Sequence, residues 1–190
     1  MEVVLLASTG FEDPLVREAG PGARVVAPGV VASPRGDDFV FARQVLPDAR
    51  EVAAPSISRL AAGAVDAVLP ALDATDSPWV LDSILPDDPR EDRPGELARR
   101  LDLVSAEFLE RVARARRHTA RRRTDRPSPL EVPHGTILVQ LLLVARETLW
   151  ASASPIALLA RRGPWPVPFP AGRVRIGDDW TAPSSAFRKL

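Results

Sequence analysis

The run Thr136–Ala145 (TILVQLLLVA) is apolar throughout except at Gln140. It is too short to cross a bilayer, which takes about 20 apolar residues in a helix. It lacks the alternation of a strand with one wet face, so it reads as a central strand covered on both faces. A chain that contains such a strand must place other elements above and below it. Proline limits those elements. The chain has 20 prolines in 190 residues, about twice ordinary usage. Each one fixes φ and removes a backbone donor, so regular elements stay short.

Glu2–Leu6 (EVVLL) reads as a buried strand ending in the turn Ala-Ser-Thr-Gly. Phe11–Ala19 (FEDPLVREA) reads as a helix with Pro14 in its first turn, stopped by Gly20-Pro21-Gly22. Arg24–Ala32 (RVVAPGVVA) is β-branched and interrupted at Pro28-Gly29, which gives two short strands or one bulged strand. Asp38–Leu46 (DFVFARQVL) reads as a further strand. In Ser56–Leu72, the residues Ile57, Leu60, Ala64, Val68 and Leu72 recur at helical spacing, with Ser56 as N-cap. This β-α-β-β-α order is that of a small ferredoxin-like sheet lacking a strand.

A linker at Asp73–Pro78 follows, then Trp79–Ile84 (WVLDSI) as a strand and Leu85–Gly95 as an acidic, proline-rich loop. Glu96–Arg123 is the longest helical pattern, with Leu97, Leu101, Val104, Phe108, Val112 and Ala115 on one stripe. Arg126–His134 breaks it. Glu147–Ser152 (ETLWAS) reads as a strand pairing beside Thr136–Ala145, and Pro164–Pro170 (PWPVPFP) as an extended arm. Thr181–Leu190 opens with cap residues and reads as the start of a helix.

The chain has no cysteine, which excludes disulfide scaffolds, thiolate zinc sites and cysteine nucleophiles. Its histidines are His118 and His134. They are too few for a histidine metal site, and no metal is expected. The N-terminus MEVVLLASTG lacks the basic start of a secretory signal. A cytoplasmic location without a membrane partner is the expectation. The sequence contains no Gly-x-Ser-x-Gly elbow, no Gly-x-Gly-x-x-Gly and no Walker A loop, so neither a hydrolase nor a nucleotide-cofactor domain is supported.

Net charge is zero, but the two halves differ. Residues 1–96 carry 17 acids and 8 arginines, and residues 97–190 carry 8 acids and 17 basic residues. Eight arginines fall between Arg111 and Arg126 (RVARARRHTARRRTDR). A helix C-terminus favours a few cations through its dipole, and eight exceed that. Guanidinium groups pair bidentately with phosphate. The cluster predicts a nucleic-acid contact surface with Arg111, Arg114, Arg117, Arg121 and Arg122 on phosphates. Few aromatics accompany it, which favours contact with structured RNA over base stacking. The alternative is a protein-interaction module whose basic helix docks an acidic partner, the chain's own acidic half included.

The closing residues Pro183-Ser184-Ser185-Ala186-Phe187-Arg188-Lys189-Leu190 resemble the opening segment of FtsJ-type ribose 2′-O-methyltransferase domains. The start VVLLASTGFEDPLVREAG and the quartet Phe41-Ala42-Arg43-Gln44 are similar to those of bacterial 23S rRNA cytidine 2′-O-ribose methyltransferases of the RlmM type. Ser154-Pro155, Phe169-Pro170 and Pro183-Ser184 follow in that family's order. The likeness spans nearly the whole chain and implies an α+β layout. A ferredoxin-like N-terminal domain would occupy residues 1–73 and a THUMP-type α/β RNA-binding domain residues 77–172. Residues 173–190 would be a linker and the truncated opening helix of a methyltransferase domain.

The resemblance also implies a function. The chain would bind and position ribosomal RNA without catalysis of its own, beside a C-terminal methyltransferase domain. It would hold no cofactor, and S-adenosyl-L-methionine would serve the complete enzyme. Lys189, the only lysine in the chain, would be a catalytic lysine in that complete enzyme. Three places depart from the family pattern. Val167-Pro168 stand where basic residues are usual, Ala151-Ser152-Ala153 where asparagines are usual, and Ser185 where arginine is usual.

Overall fold

The computed structural model describes residues 2–34, 39, 41–86, 95–124 and 135–155, together with the backbone of residues 173–176 and 179–183. The elements in chain order are β1 (Glu2–Leu6), α1 (Glu12–Ala19), β2 (Arg24–Ala27), β3 (Val30–Ser33), β4 (Gln44–Ala53), α2 (Ile57–Asp73), β5 (Trp79–Ile84), α3 (Glu96–Ala115), α4 (Arg117–Arg121), β6 (Ile137–Ala145), β7 (Thr148–Pro155), β8 (Arg173–Ile176) and β9 (Asp179–Pro183). The fold is α+β. Seven strands form one sheet in the order β2-β3-β1-β4-β7-β6-β5, and β8 and β9 pair separately. Every pairing in the large sheet is antiparallel except β5 with β6.

The central strand behaves as its composition requires. Along β6, Val139, Leu141 and Leu143 join the cluster under α2 and α3, while Leu142 joins a second cluster on the opposite face. On the helix side, Leu60, Ala64, Val68 and Leu72 of α2 pack with Leu101, Val104, Phe108 and Val112 of α3. Burying each of the larger of these side chains contributes roughly 1.5–3 kcal/mol. Nearer the N-terminus, Leu5 and Val31 lie under Leu15 and Ala19 of α1. The opposite face places Val4, Leu6, Leu46, Leu142 and Trp150 together. It also carries Asp82, Gln140 and Ser152, aligned across β5, β6 and β7. Gln44 donates to Asp82 over 3.3 Å, and Gln140 is fully buried without a hydrogen-bond partner among the described residues.

One local expectation is settled and three are revised. The interrupted segment Arg24–Ala32 resolves into two strands joined at Pro28-Gly29, where Gly29 adopts φ 69°. The strand expected over Asp38–Leu46 begins at Gln44 and runs on to Ala53. Pro47 and the charges after it hide this continuation. Asp48 at φ 49° absorbs a bulge against β1, which lets the strand pass the proline. The long helix over Glu96–Arg123 breaks at Arg116, which has φ −145° and ψ 84°. Finally, Thr181–Pro183 lie in β9 rather than opening a helix, because Trp180 and Thr181 favour a strand that pairs with Arg173–Ile176. Residues 184–190, Pro164–Pro170 and the acidic residues 87–92 lie outside the described residues.

Helix α2 lies on the face of the sheet that α3 also covers. It follows β4 and packs on α3 and β7. Strands β1 to β4 alone form the antiparallel order β2-β3-β1-β4, and β4 continues the sheet into β7 through Arg50–Ala53 against Thr148–Ala151. Close approach of α2 to β4 depends on Gly63. A Cβ there would lie 2.4 Å from Val52 Cγ1, and valine cannot easily rotate away. Alanine gains up to about 1 kcal/mol of helix propensity, but overpacking costs about 1–3 kcal/mol. Gly63→Ala is expected to lower stability by about 1 kcal/mol in urea unfolding, with a larger loss for Gly63→Val.

Candidate nucleic-acid interface

Strand directions bring the candidate residues to one end of the sheet. Strands β4, β5 and β6 begin there, and β1 and β7 finish there. Helices α2 and α3 run toward the same end. The chain from α3 into α4 is tied to the start of β5 by backbone bonds: Trp79 N donates to Arg122 O at 3.1 Å, and Thr124 N donates to Trp79 O at 2.9 Å.

A polar knot fixes this corner. Arg122 donates from Nη1 to the carbonyls of Thr75 and Ser77, and from Nη2 to Leu72 O at 2.8 Å. The Leu72 carbonyl belongs to the last turn of α2, where no intrahelical donor is available. Asp73 accepts from Arg116 Nε at 3.1 Å and from Thr119 Oγ1 at 2.8 Å. Those two bonds turn the chain at the break between α3 and α4. The Trp79 ring N–H donates to Thr119 O at 2.8 Å.

The five arginines expected to contact phosphate thus separate into three groups. Arg111 Nε lies 2.7 Å from Glu107 Oε1, close enough for an ion pair although not aligned as a hydrogen bond, and its Nη2 donates to Ser58 Oγ. Arg114 pairs with Glu110 at 2.6 Å. Both line a cleft of about 340 Å³ between α2 and α3, which also holds Asp66. Arg122 is committed to backbone carbonyls. Arg117 and Arg121 are exposed and have no carboxylate partner among the described residues. His118 is exposed beside them. Among the described residues, Glu107, Glu110 and Asp73 are the carboxylates that face Arg111, Arg114 and Arg116. Lys189, His134 and Arg126 lie outside the described residues.

Arg24 provides a contrast among the basic residues. Its guanidinium donates to both carboxylate oxygens of Glu2. That hydrogen bonding is the main reason the Glu2 carboxyl sits below its ordinary range.

Sequence reasoning missed an aromatic pair where β1 ends and β4 begins. Phe11 and Phe41 stack with ring centroids 6.1 Å apart and planes 28° apart. They remain 49% and 43% exposed. Phe11 follows the end of β1 and Phe41 precedes the start of β4. Both lie in the two segments that carry the family resemblance, Thr9-Gly10-Phe11-Glu12 and Phe41-Ala42-Arg43-Gln44. That shared origin was the available signal.

The turn after β1 is not open to an anionic group. The turn after β1 leads into a helix whose first turn is Glu12 and Asp13. The Glu12 carboxylate already takes the Gly10 and Gly29 amides, each at 2.7 Å. Those amides are the donors an anionic group would need. Among the described residues, no group of three or more acidic or histidine side chains is placed to hold a metal. No helix there is long and apolar enough to cross a membrane.

No protein-family model matches the chain, and no curated protein matches it. Among solved structures it is similar to one described as a predicted N6-adenine-specific DNA methylase from Listeria monocytogenes. The identity is 14% and the TM-score 0.45, over 80% of this chain and 39% of that one. It is also similar to one described as a possible methylase from Clostridium difficile, at 12% identity and a TM-score of 0.46, over 80% of this chain and 40% of that one. The chain spans about two fifths of the length of each.

Proposed function

We propose that this chain is the RNA-positioning region of an S-adenosyl-L-methionine-dependent 23S rRNA ribose 2′-O-methyltransferase. It acts in the cytoplasm beside a C-terminal methyltransferase domain. The reading keeps the two units at residues 1–73 and 77–172, with residues 173–190 leading into that domain. Its supports are the sequence resemblance and one structural observation. Arg117 and Arg121 are held outward on a rigid corner without carboxylate partners among the described residues, where a phosphate backbone can reach both. Methyl transfer belongs to the complete enzyme, with Lys189 in its catalytic set and the cofactor supplied outside the described residues. No chemical step is assigned to this chain.

Filter binding to a 23S rRNA fragment across a salt series tests the reading. Affinity should fall steeply with salt, because each phosphate that an arginine neutralises releases counterions. Arg117→Glu with Arg121→Glu should weaken binding about tenfold or more and reduce the salt slope by about 1 for each phosphate no longer neutralised. Arg24→Glu removes a guanidinium already paired with Glu2 and should have a much smaller effect. Absent or salt-independent binding would discard the proposal. Binding to an acidic protein with none to RNA would favour the interaction-module alternative.

A further inference from the structure

We propose that the cleft between α2 and α3 takes an unpaired guanine of the bound RNA, with Asp66 on its donor edge and Arg114 on its acceptor edge. The proposal rests on the RNA-binding reading above and names the base that this surface selects. Two triads line the cleft: Ala62, Val65 and Asp66 on α2, and Arg111, Arg114 and Ala115 on α3. Each follows the i, i+3, i+4 spacing that puts three side chains on one helix face. The short side chains of Ala62 and Ala115 leave the space open. Its volume of about 340 Å³ falls within the range of small-molecule sites, about 300–1,000 Å³.

The cleft opens onto the arginine corner. Ala115 ends α3 and Arg117 begins α4. Their Cα atoms are at most about 7.6 Å apart, since consecutive ones are about 3.8 Å apart. On α2, Asp73 stands two turns beyond Asp66, roughly 10 Å along the axis, and Asp73 is bonded to Arg116. A nucleotide whose base enters the cleft therefore keeps its phosphates near Arg117.

The polar groups left over in the cleft select the base. Arg111 is held in place, its Nε facing Glu107 and its Nη2 donating to Ser58. Arg114 gives Nη2 to Glu110 in an exposed pair, which is weakly held. Its Nε and Nη1 donate to nothing among the described residues. Asp66 is exposed and takes no donor among the described residues, from either arginine or from the backbone. The cleft thus presents a carboxylate that needs donors and a guanidinium that needs acceptors, on facing helices. Guanine meets both demands. Its N1–H and N2–H₂ groups are adjacent donors for a carboxylate, and its O6 and N7 are an acceptor pair for arginine. Adenine and cytosine place an acceptor beside their amino group, and uracil has one N–H between two carbonyls, so none of them offers two adjacent donors. Bases outside a duplex are read on these edges. A basic protein side chain would satisfy Asp66 but would meet Arg111 and Arg114 as like charges.

The probes are single-stranded oligoribonucleotides of about twelve nucleotides. One is all-uridine, one carries a central guanosine, and one carries inosine at that place. In filter binding, the natural protein should hold the guanosine probe about tenfold more tightly than the all-uridine probe. Inosine lacks the N2 amino group and should lose most of that gain. Asp66→Asn replaces an acceptor by a donor and should bring the guanosine and uridine affinities within about twofold of each other. Asp66→Glu keeps the carboxylate and should keep guanosine ahead, which excludes misfolding as the cause of the loss. Ala115→Leu fills the cleft from an exposed position and should also remove the preference. If the natural protein binds the all-uridine probe in a salt-dependent way and shows no preference for guanosine, the cleft proposal is overturned while the RNA reading stands. In that case, binding of a hexa-arginine peptide that is lost in Asp66→Asn would give the cleft to a protein partner. A guanosine preference that survives Asp66→Asn overturns the proposal as well. If the natural protein binds neither these probes nor the 23S fragment, both readings fail together.

Discussion

Arg122→Met lowers stability by about 3–5 kcal/mol, although an arginine in an arginine-rich tract looks dispensable. The guanidinium of Arg122 bonds three carbonyls, those of Leu72, Thr75 and Ser77, reaching 45 to 50 residues back along the chain. Hydrogen bonds from a charged donor are worth about 1.5–3 kcal/mol each, and the three act as a unit, so they do not sum in full. Methionine keeps the apolar stem and removes every donor. The part-buried carbonyls are then left unpaired, including one at the C-terminus of α2. The linker from Asp73 to Pro78 and the start of β5 lose their common anchor. Urea unfolding should show the midpoint falling for Arg122→Met and staying close to the natural value for Arg117→Met. Equal midpoints would mean that Arg122 is not a clamp. The contrast also bears on RNA binding, because Arg122→Met should reduce affinity only under conditions that unfold it.

How much of this was legible in the sequence follows from the range of each interaction. The apolar run at Thr136–Ala145 forced a doubly covered strand, and β6 is one. Ser56 was readable as a cap because its bond to Arg59 N is local. The bulge at Asp48 was not readable, since it depends on pairing with β1, more than forty residues earlier. The arginine cluster was visible as a count, but its division into paired, clamping and outward-facing residues was only half visible. Arg111 with Glu107 and Arg114 with Glu110 follow a four-residue helical spacing present in the sequence. Arg116 with Asp73 and Arg122 with the carbonyls depend on how α2 meets α3, which no local pattern encodes. Phe11 and Phe41 lie thirty residues apart and meet only because β1 ends where β4 begins.

Trp79 gives the second large effect and separates packing from polar anchoring. Its ring is fully buried and stands edge-on to Phe108, with centroids 6.4 Å apart and planes at 89°. Its ring N–H also satisfies the Thr119 carbonyl at the turn of α4. The backbone bonds at this residue, from Trp79 N to Arg122 O and from Thr124 N to Trp79 O, survive any side-chain change other than proline. Trp79→Ala should cost about 3–5 kcal/mol, because a large aromatic leaves a cavity that strands β5 and β6 cannot close. Trp79→Phe keeps most of the ring volume and loses the donor, so it should cost about 1–3 kcal/mol, the penalty of an unpaired buried carbonyl. Paired urea titrations give the two numbers. A Phe variant as damaged as the Ala variant would mean that the bond to Thr119, not the ring, holds α4 to the sheet. In that case Trp79→Phe should also loosen the arginine corner and flatten the salt dependence of RNA binding. With packing dominant, Trp79→Phe should bind RNA as the natural protein does well below its melting temperature, because the ring faces the core and Arg117 and Arg121 face away from it.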